Sequence, residues 1–153
     1  PRVITVEPNT AHQDGGVVIS IVGSDFGEQA SDLSTNHAVT VGGIPCPLLT
    51  HTSTRLTCRL PRGTGTDLDV KVRNKAGLAS EDNSRFSYRA PTITSITPNY
   101  VFDGALFATD FTIHGDNFGF NVTHVDSLVI GGTTCPKPSI QVISGQDILC
   151  RNL

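Results

Sequence analysis

Asp25-Phe26-Gly27 is the tripeptide with which protein kinases hold a magnesium ion. Such a ligand needs company: a glycine-rich loop over the phosphates, a lysine on a strand and a His-Arg-Asp loop. The sequence contains none of these, and Gly63-Thr64-Gly65 lacks both a third glycine and a following helix. A second copy of the motif decides its meaning. GSDFG at 23–27 returns as GDNFG at 115–119, with Asn117 where Asp25 stood. A magnesium site does not survive the loss of its carboxylate, whereas a turn does. Asp and Asn both tolerate the left-handed conformation and bond to nearby backbone, and Gly27 and Gly119 permit a positive φ. Gly23, Phe26 and Gly27, with Gly115, Phe118 and Gly119, are therefore expected to form structural turns, each phenylalanine capping one end of a hydrophobic core.

Other reactive residues are more scattered. The histidines His12, His37, His51, His114 and His124 form no repeat-matched pair and have no acidic partner at a fixed spacing, so surface or turn positions are expected. The serines carry no nucleophile signature such as G-x-S-x-G. Asp25, Glu28 and Asp32 share a loop that could gather calcium, but their spacing is not that of an EF-hand, and the matching loop offers Asp116 and Asp126 with apolar residues between. No catalytic, metal or cofactor site is expected. Asn121-Val122-Thr123 is an N-glycosylation sequon in the loop just after the second Phe-Gly turn.

Four cysteines fall at Cys46, Cys58, Cys135 and Cys150. Of the three possible connectivities, only Cys46–Cys58 with Cys135–Cys150 gives both halves the same local bridge. A disulfide closing a loop of that size contributes roughly 3 kcal/mol and places the chain in an oxidising compartment, outside the cell or on the secretory route. The rival reading is zinc, but C-x11-C and C-x14-C contain no C-x-x-C half, and His51 has no counterpart in the second half.

The elements that position these residues repeat. PRVITVEPN (1–9) returns as PTITSITPN (91–99), VGGIPC (41–46) as IGGTTC (130–135), and the Phe-Gly turns and second cysteines recur at an offset of 92 residues. Two homologous units are expected, 1–90 and 91–153, joined near Tyr88-Arg89-Ala90-Pro91. The second is expected to be incomplete at its C-terminal side. Its last two strands would follow in a longer chain or come from a neighbouring one, as in donor-strand complementation. A start at Pro1 without methionine also suits a piece of something longer.

In unit one the expected strands are Val3–Val6, Val17–Val22, Ala38–Val41, Arg55–Arg59, Leu68–Arg73 and Arg85–Tyr88. Leu68, Val70 and Val72 alternate with Asp67, Asp69, Lys71 and Arg73, the pattern of an antiparallel strand with one wet face. Val18 and Val22 are apolar beside Val17, Ile19 and Ile21, so that strand is expected to be covered on both sides. Glycine pairs at 15–16 and 42–43, with Gly63-Thr64-Gly65 and Ala76-Gly77, fall at hairpin-like spacing. No segment has a helical period, and about seven short strands in ninety residues indicate an immunoglobulin-like sandwich. The net charge is −3, and residues 1–90 carry nine basic against nine acidic side chains while residues 91–153 carry two against five. Neither unit is a basic platform for nucleic acid, Arg55, Arg59 and Arg62 read as a solvated edge, and no apolar run is long enough to insert in a membrane.

Taken together, P-x-I-x-x-I-x-P, the stretch Gly15 to Gly27, Val41 to Cys46, Thr54 to Pro61 and Val70 to Ser80 resemble the IPT/TIG domain, over all of unit one and two thirds of unit two. Unit two departs in its longer loop NYVFDGALFATDF, which has no Gly-Gly pair. The resemblance implies an all-β architecture of two tandem E-set immunoglobulin-like sandwiches. It also implies a cell-surface role like that of the disulfide-bearing members in plexins, hepatocyte growth factor receptors, fibrocystin-like receptors and microbial surface proteins. There such domains are non-catalytic stalks, spacers and protein-binding modules, with neighbouring IPT/TIG domains and other proteins as partners and glycan as a possible one. The competing class is the cysteine-free Rel-type domain, which dimerises and touches DNA inside cells; a third is an accessory module of a secreted enzyme. The joint is short and proline-constrained, so adjacent units are expected to hold a fairly fixed arrangement.

Overall fold

Alternating valines and isoleucines bounded by Gly, Pro, Asn and Ser favour pleated, half-buried strands, and strands are what form. The computed structural model describes residues 1–34, 38–81, 84–100 and 109–153. His37 and most of the NYVFDGALFATDF loop lie outside the described residues. The chain divides into two compact units, Pro1–Arg89 and Ala90–Leu153. Among the described residues there is no α-helix, only strands and short 3-10 turns, and no helix is long and apolar enough to cross a membrane.

Unit one runs β1 (Arg2–Glu7), β2 (Thr10–Ala11), β3 (Val18–Ser24), β4 (Val39–Val41), β5 (Ile44–Pro45), β6 (Leu48–His51), β7 (Arg55–Arg59), β8 (Leu68–Val72) and β9 (Arg85–Tyr88). One sheet has the order β1-β3-β7-β6 and the other β2-β9-β8-β4-β5. Every pairing is antiparallel except β2 with β9. The inner faces meet in one core, built from Ile19, Ile21 and Leu56 on one side and Val39, Val41, Val70, Val72 and Phe86 on the other. Full burial of each aliphatic side chain contributes about 1.5–3 kcal/mol against leaving it in water.

Two expectations about these strands are corrected. The strand expected over Val17–Val22 is covered on one side only. Ile19, Ile21 and Gly23 face the core, whereas Val18 is 47% exposed and Val17, just before the strand, 41%. Its neighbours in the sheet, β1 and β7, pair edge to edge with it and leave its outer face to solvent. The glycine pairs also differ in use. Gly42-Gly43 closes the β4–β5 hairpin, and Ala76-Gly77 turns the chain between the paired Arg73 and Ala79. Gly15-Gly16 and Gly63-Thr64-Gly65 instead carry the chain from one sheet to the other, tied by Gly16 N–H to Leu60 O at 2.8 Å and Gly63 N–H to Gln13 O at 2.8 Å.

Unit two runs β10 (Thr92–Thr97), β11 (Phe111–Asp116), β12 (Val129–Ile130), β13 (Thr133–Thr134), β14 (Ile140–Val142) and β15 (Asp147–Cys150). Its sheet β10-β11-β15-β14 reproduces the order of β1-β3-β7-β6, and the hairpin β12-β13 stands where β4-β5 does. Phe111, Ile113, Phe118, Val125, Leu128, Ile140 and Ile148 form its core. The difference between the units shows at one matched position. Val3 and Ile93 pair with the equivalent glycines Gly23 and Gly115, yet Val3 is 3% exposed and Ile93 66%. In unit one β8 packs against β1; unit two has no such strand among its described residues.

Unit one is also pinned by Tyr88 at the end of β9. Its hydroxyl donates to the Pro61 carbonyl at 2.6 Å, its ring stacks edge-on against Phe86 with centroids 5.2 Å apart, and it is buried. Burial disfavours the phenolate and pushes the pKa from 10.0 up to about 12. A group whose pKa is raised on folding stabilises fully below its unfolded pKa and loses that contribution as pH rises through the folded one. Tyr88→Phe is expected to cost about 1 kcal/mol at neutral pH by removing this hydrogen bond. It should also flatten the fall in stability between pH ~10 and ~12, both readable from urea unfolding midpoints across that range.

Candidate functional site

Both Phe-Gly turns sit where a core strand leaves its sheet, and their backbone bonds correspond one to one. Gly23 donates its N–H to Thr54 O at 2.9 Å and Phe26 to Ser53 O at 3.1 Å; Gly115 donates to Gln146 O at 2.8 Å and Phe118 to Gly145 O at 3.0 Å. Asp25 and Asn117 have φ of 59° and 60°, the left-handed region that these two residue types tolerate. Gly27 and Gly119 follow at φ of 85° and 88°. The phenylalanine rings turn back over their own strands into the ends of the cores. A methyl group on Gly23 would collide with the Arg2 carbonyl and lie 2.5 Å from the Phe26 ring; on Gly115 it would meet the Thr92 carbonyl and the Phe118 ring in the same way.

The acidic loop of unit one is engaged in holding its own backbone. The Asp32 carboxylate accepts from Glu28 N–H and Gln29 N–H, both at 3.0 Å, and Asp25 accepts from the Ser24 hydroxyl at 3.0 Å. The corresponding side chain in unit two is His124. Its Nδ1 accepts from Phe120 N–H at 2.9 Å, which fixes the tautomer with the proton on Nε2. Asp32 and His124 lie at the same repeat offset as Asp25 and Asn117, so the sequence carried a signal for this pair that their unlike chemistry hid. His124 also stacks edge-on with Phe120, centroids 5.7 Å apart.

Two more histidines are not simple surface residues. His51 Nε2 lies 3.0 Å from Phe26 O, tying β6 to the first turn. His114 pairs with an acid that no fixed spacing announced: its Nδ1 lies 2.6 Å from Asp147 Oδ1. The two residues are directly opposed across β11 and β15, and a separation of 33 residues gave the sequence no way to pair them. Thr97 Oγ1 lies 3.4 Å from the other ring nitrogen, and the Ser144 hydroxyl donates to Asp147 at 3.2 Å. Hydroxyl, imidazole and carboxylate in that order suggest a nucleophile, its base and an orienting acid. Here they run across a sheet surface with the His114 and Asp147 side chains 40% and 36% exposed, so water competes for every bond, and the arrangement works as a cross-strand polar ladder. His12 is similarly close to a neighbour, Asp14, at 3.4 Å.

The cysteines join as two bridges, Cys46–Cys58 and Cys135–Cys150, with Cα separations of 5.6 and 6.1 Å. Each ties the strand that follows the loop bonded to the Phe-Gly turn, β7 or β15, to the residue just past the short hairpin of the opposing sheet. Asn121 is exposed and caps the 3-10 turn Val122–His124, its Oδ1 accepting from Thr123 N–H at 2.9 Å and from the Thr123 hydroxyl.

The family model for the IPT/TIG domain matches residues 1–88. The chain belongs to the IPT/TIG family. Among curated relatives of this IPT/TIG chain, mouse Plexin-B3 is 32% identical over 161 residues, covering 100% of the chain and 8% of that protein. Human Fibrocystin-L is 30% identical over 137 residues, covering 88% of the chain and 3% of that protein. The chain thus spans less than a tenth of the relatives it matches. Of solved structures, the Plexin A4 extracellular region aligns over 98% of the chain and 15% of its own with a TM-score of 0.50 at 18% identity. The surface glycan-binding protein PbSGBP-B of Prevotella bryantii aligns over 94% and 32% with a TM-score of 0.55 at 17% identity. At those identities the two structures speak for the fold alone, the immunoglobulin-like β-sandwich of IPT/TIG domains.

Gly23→Ala is expected to cost roughly 3 kcal/mol, because the methyl group must part β1 from β3 or expel the Phe26 ring; Gly115→Ala should do the same in unit two, both read from denaturant unfolding. His124→Ala should lose about 1 kcal/mol with the cap. His124→Asp, which copies unit one, should restore slow hydrogen exchange at the Phe120 amide.

Proposed function

We propose that this IPT/TIG pair is a non-catalytic segment of a longer receptor-type ectodomain at the cell surface. It acts there as a semi-rigid spacer that presents sheet faces and loops to protein partners. The observation that carries the reading is the fate of the chemically suggestive residues. Asp32 and His124 accept bonds from their own loops, Asp25 and Asn117 shape turns, and all four cysteines close bridges. These side chains, of types that elsewhere bind metal or attack a substrate, are occupied in holding two copies of one fold.

The compartment is supported by the bridges, since cytosolic thiols are kept reduced, and by the likeness to Plexin-B3. The spacer role rests on the joint. Arg89, Ala90 and Pro91 are all that separate β9 from β10, and proline restricts its predecessor's backbone, leaving little freedom between units. The Rel-type alternative is disfavoured by the same cysteines and by the absence of a net positive charge on either unit.

Two measurements on residues 1–153 test this. Thiol titration in denaturant is expected to find no free thiol before reduction and four after; four before reduction would remove the extracellular reading. Small-angle X-ray scattering is expected to fit one fixed arrangement of the units. Data that require freely reorienting units would remove the spacer.

A further inference from the structure

Among the described residues, Asn121-Val122-Thr123 is a chemically competent motif that the proposed function does not absorb. Asn121 is exposed and lies at the N-terminal cap of a 3-10 turn, beyond the strands of either sheet. Its carboxamide oxygen is engaged with Thr123, through both the backbone N–H and the hydroxyl. The amide nitrogen, by contrast, is the half of the side chain that these bonds leave out. From this division of labour we infer that Asn121 is a site of N-linked glycosylation, with an oligosaccharide carried on a lipid pyrophosphate as the co-substrate. The inference rests on the secretory reading above.

The chemistry balances on the groups present. Nδ2 attacks the anomeric carbon of the first sugar; an N–C bond forms as the bond from that carbon to the pyrophosphate oxygen breaks. The lipid pyrophosphate leaves with the electron pair, and one amide proton passes to a base. The product is still an amide with its carbonyl oxygen intact. Both bonds from Thr123 therefore persist, and the cap that orders the turn is compatible with the modification. Val122 stands at the central position, where a proline would forbid the reaction. A sugar here would project from the end of the sandwich, since Asn121 lies outside the strand pairing that continues through β11 and β15.

The repeat makes the assignment specific to one unit. At the same offset that relates Asp32 to His124, unit one has Gln29-Ala30-Ser31 in the corresponding turn, without a sequon. The glycan would thus mark unit two and leave the matching end of unit one bare, biasing which of two similar tips can meet a protein partner.

The test is expression of residues 1–153 behind a secretion leader in mammalian cells. Glycan occupancy is read by peptide mass spectrometry after enzymatic release of N-glycans in heavy-oxygen water, which converts a modified Asn121 to labelled aspartate. Occupancy above half is expected, with one glycan per chain, and its loss in both Asn121→Gln and Thr123→Ala. Occupancy below half in the unsubstituted chain overturns the assignment, as does a glycan that persists in Thr123→Ala. A chain secreted with no free thiols but bare at Asn121 would defeat the glycan alone. Four free thiols would defeat the secretory reading beneath it. Translation with microsomes gives the same readout should either variant fail to fold.

Discussion

A cystine between the two layers is the constraint on which each unit depends. Cys58 and Cys150 are fully buried on core strands, and Cys46 and Cys135 follow hairpins whose strands are two or three residues long. Such short strands bury little surface and make few ladder bonds, so a hairpin of that size is marginal by itself. The bridge fixes it over the opposing sheet and reduces the freedom of the unfolded chain, a contribution of roughly 3 kcal/mol for loops of this length. In unit two, where the facing layer is the hairpin β12-β13 alone among the described strands, the bridge carries a larger share of holding the layers together.

The Phe-Gly turn closes the end that the cystine leaves open. Its aromatic ring lies over a glycine in its own strand, and that glycine lies against the backbone of the next strand. Three layers of contact are stacked where any side chain would intervene. The loop that follows is then held by one acceptor side chain, a carboxylate in unit one and an imidazole in unit two. Different acceptors meet the same need because the donors are backbone N–H groups, which any well-placed lone pair satisfies.

With the interior so engaged, what remains for recognition is surface. The outer face of the β10-β11-β15-β14 sheet is polar, with His114, Asp147 and Thr97 in cross-strand contact. Unit one presents Val18 and Val22 at the matching stretch of β3, with Ser20 between them and Arg55 opposite Val22. Two copies of one scaffold thus carry different outward chemistry, the kind of divergence by which repeated domains bind different partners or only one of them binds.

The repeat, the all-β class and the expectation of a turn at Asp-Phe-Gly were legible in the residues alone. All of these follow from local rules: period-two alternation, glycine at positive φ, Asp and Asn in left-handed turns. The alternation in DLDVKVR was legible too, since Val70 and Val72 are buried while Asp69 and Lys71, which alternate with them, are not. Tertiary packing, by contrast, chose which apolar residues of the Val17–Val22 stretch are covered, because the outer face of β3 depends on what lies against it. It alone decided that Ile93 is exposed where Val3 is buried, a difference set by β8 rather than by either residue's type. It alone paired His114 with Asp147, since cross-strand neighbours are fixed by register and not by distance along the chain. The equivalence of Asp32 and His124 stands between the two. Its offset was in the sequence, but only the hydrogen bonds show that an acid and a histidine perform the same task.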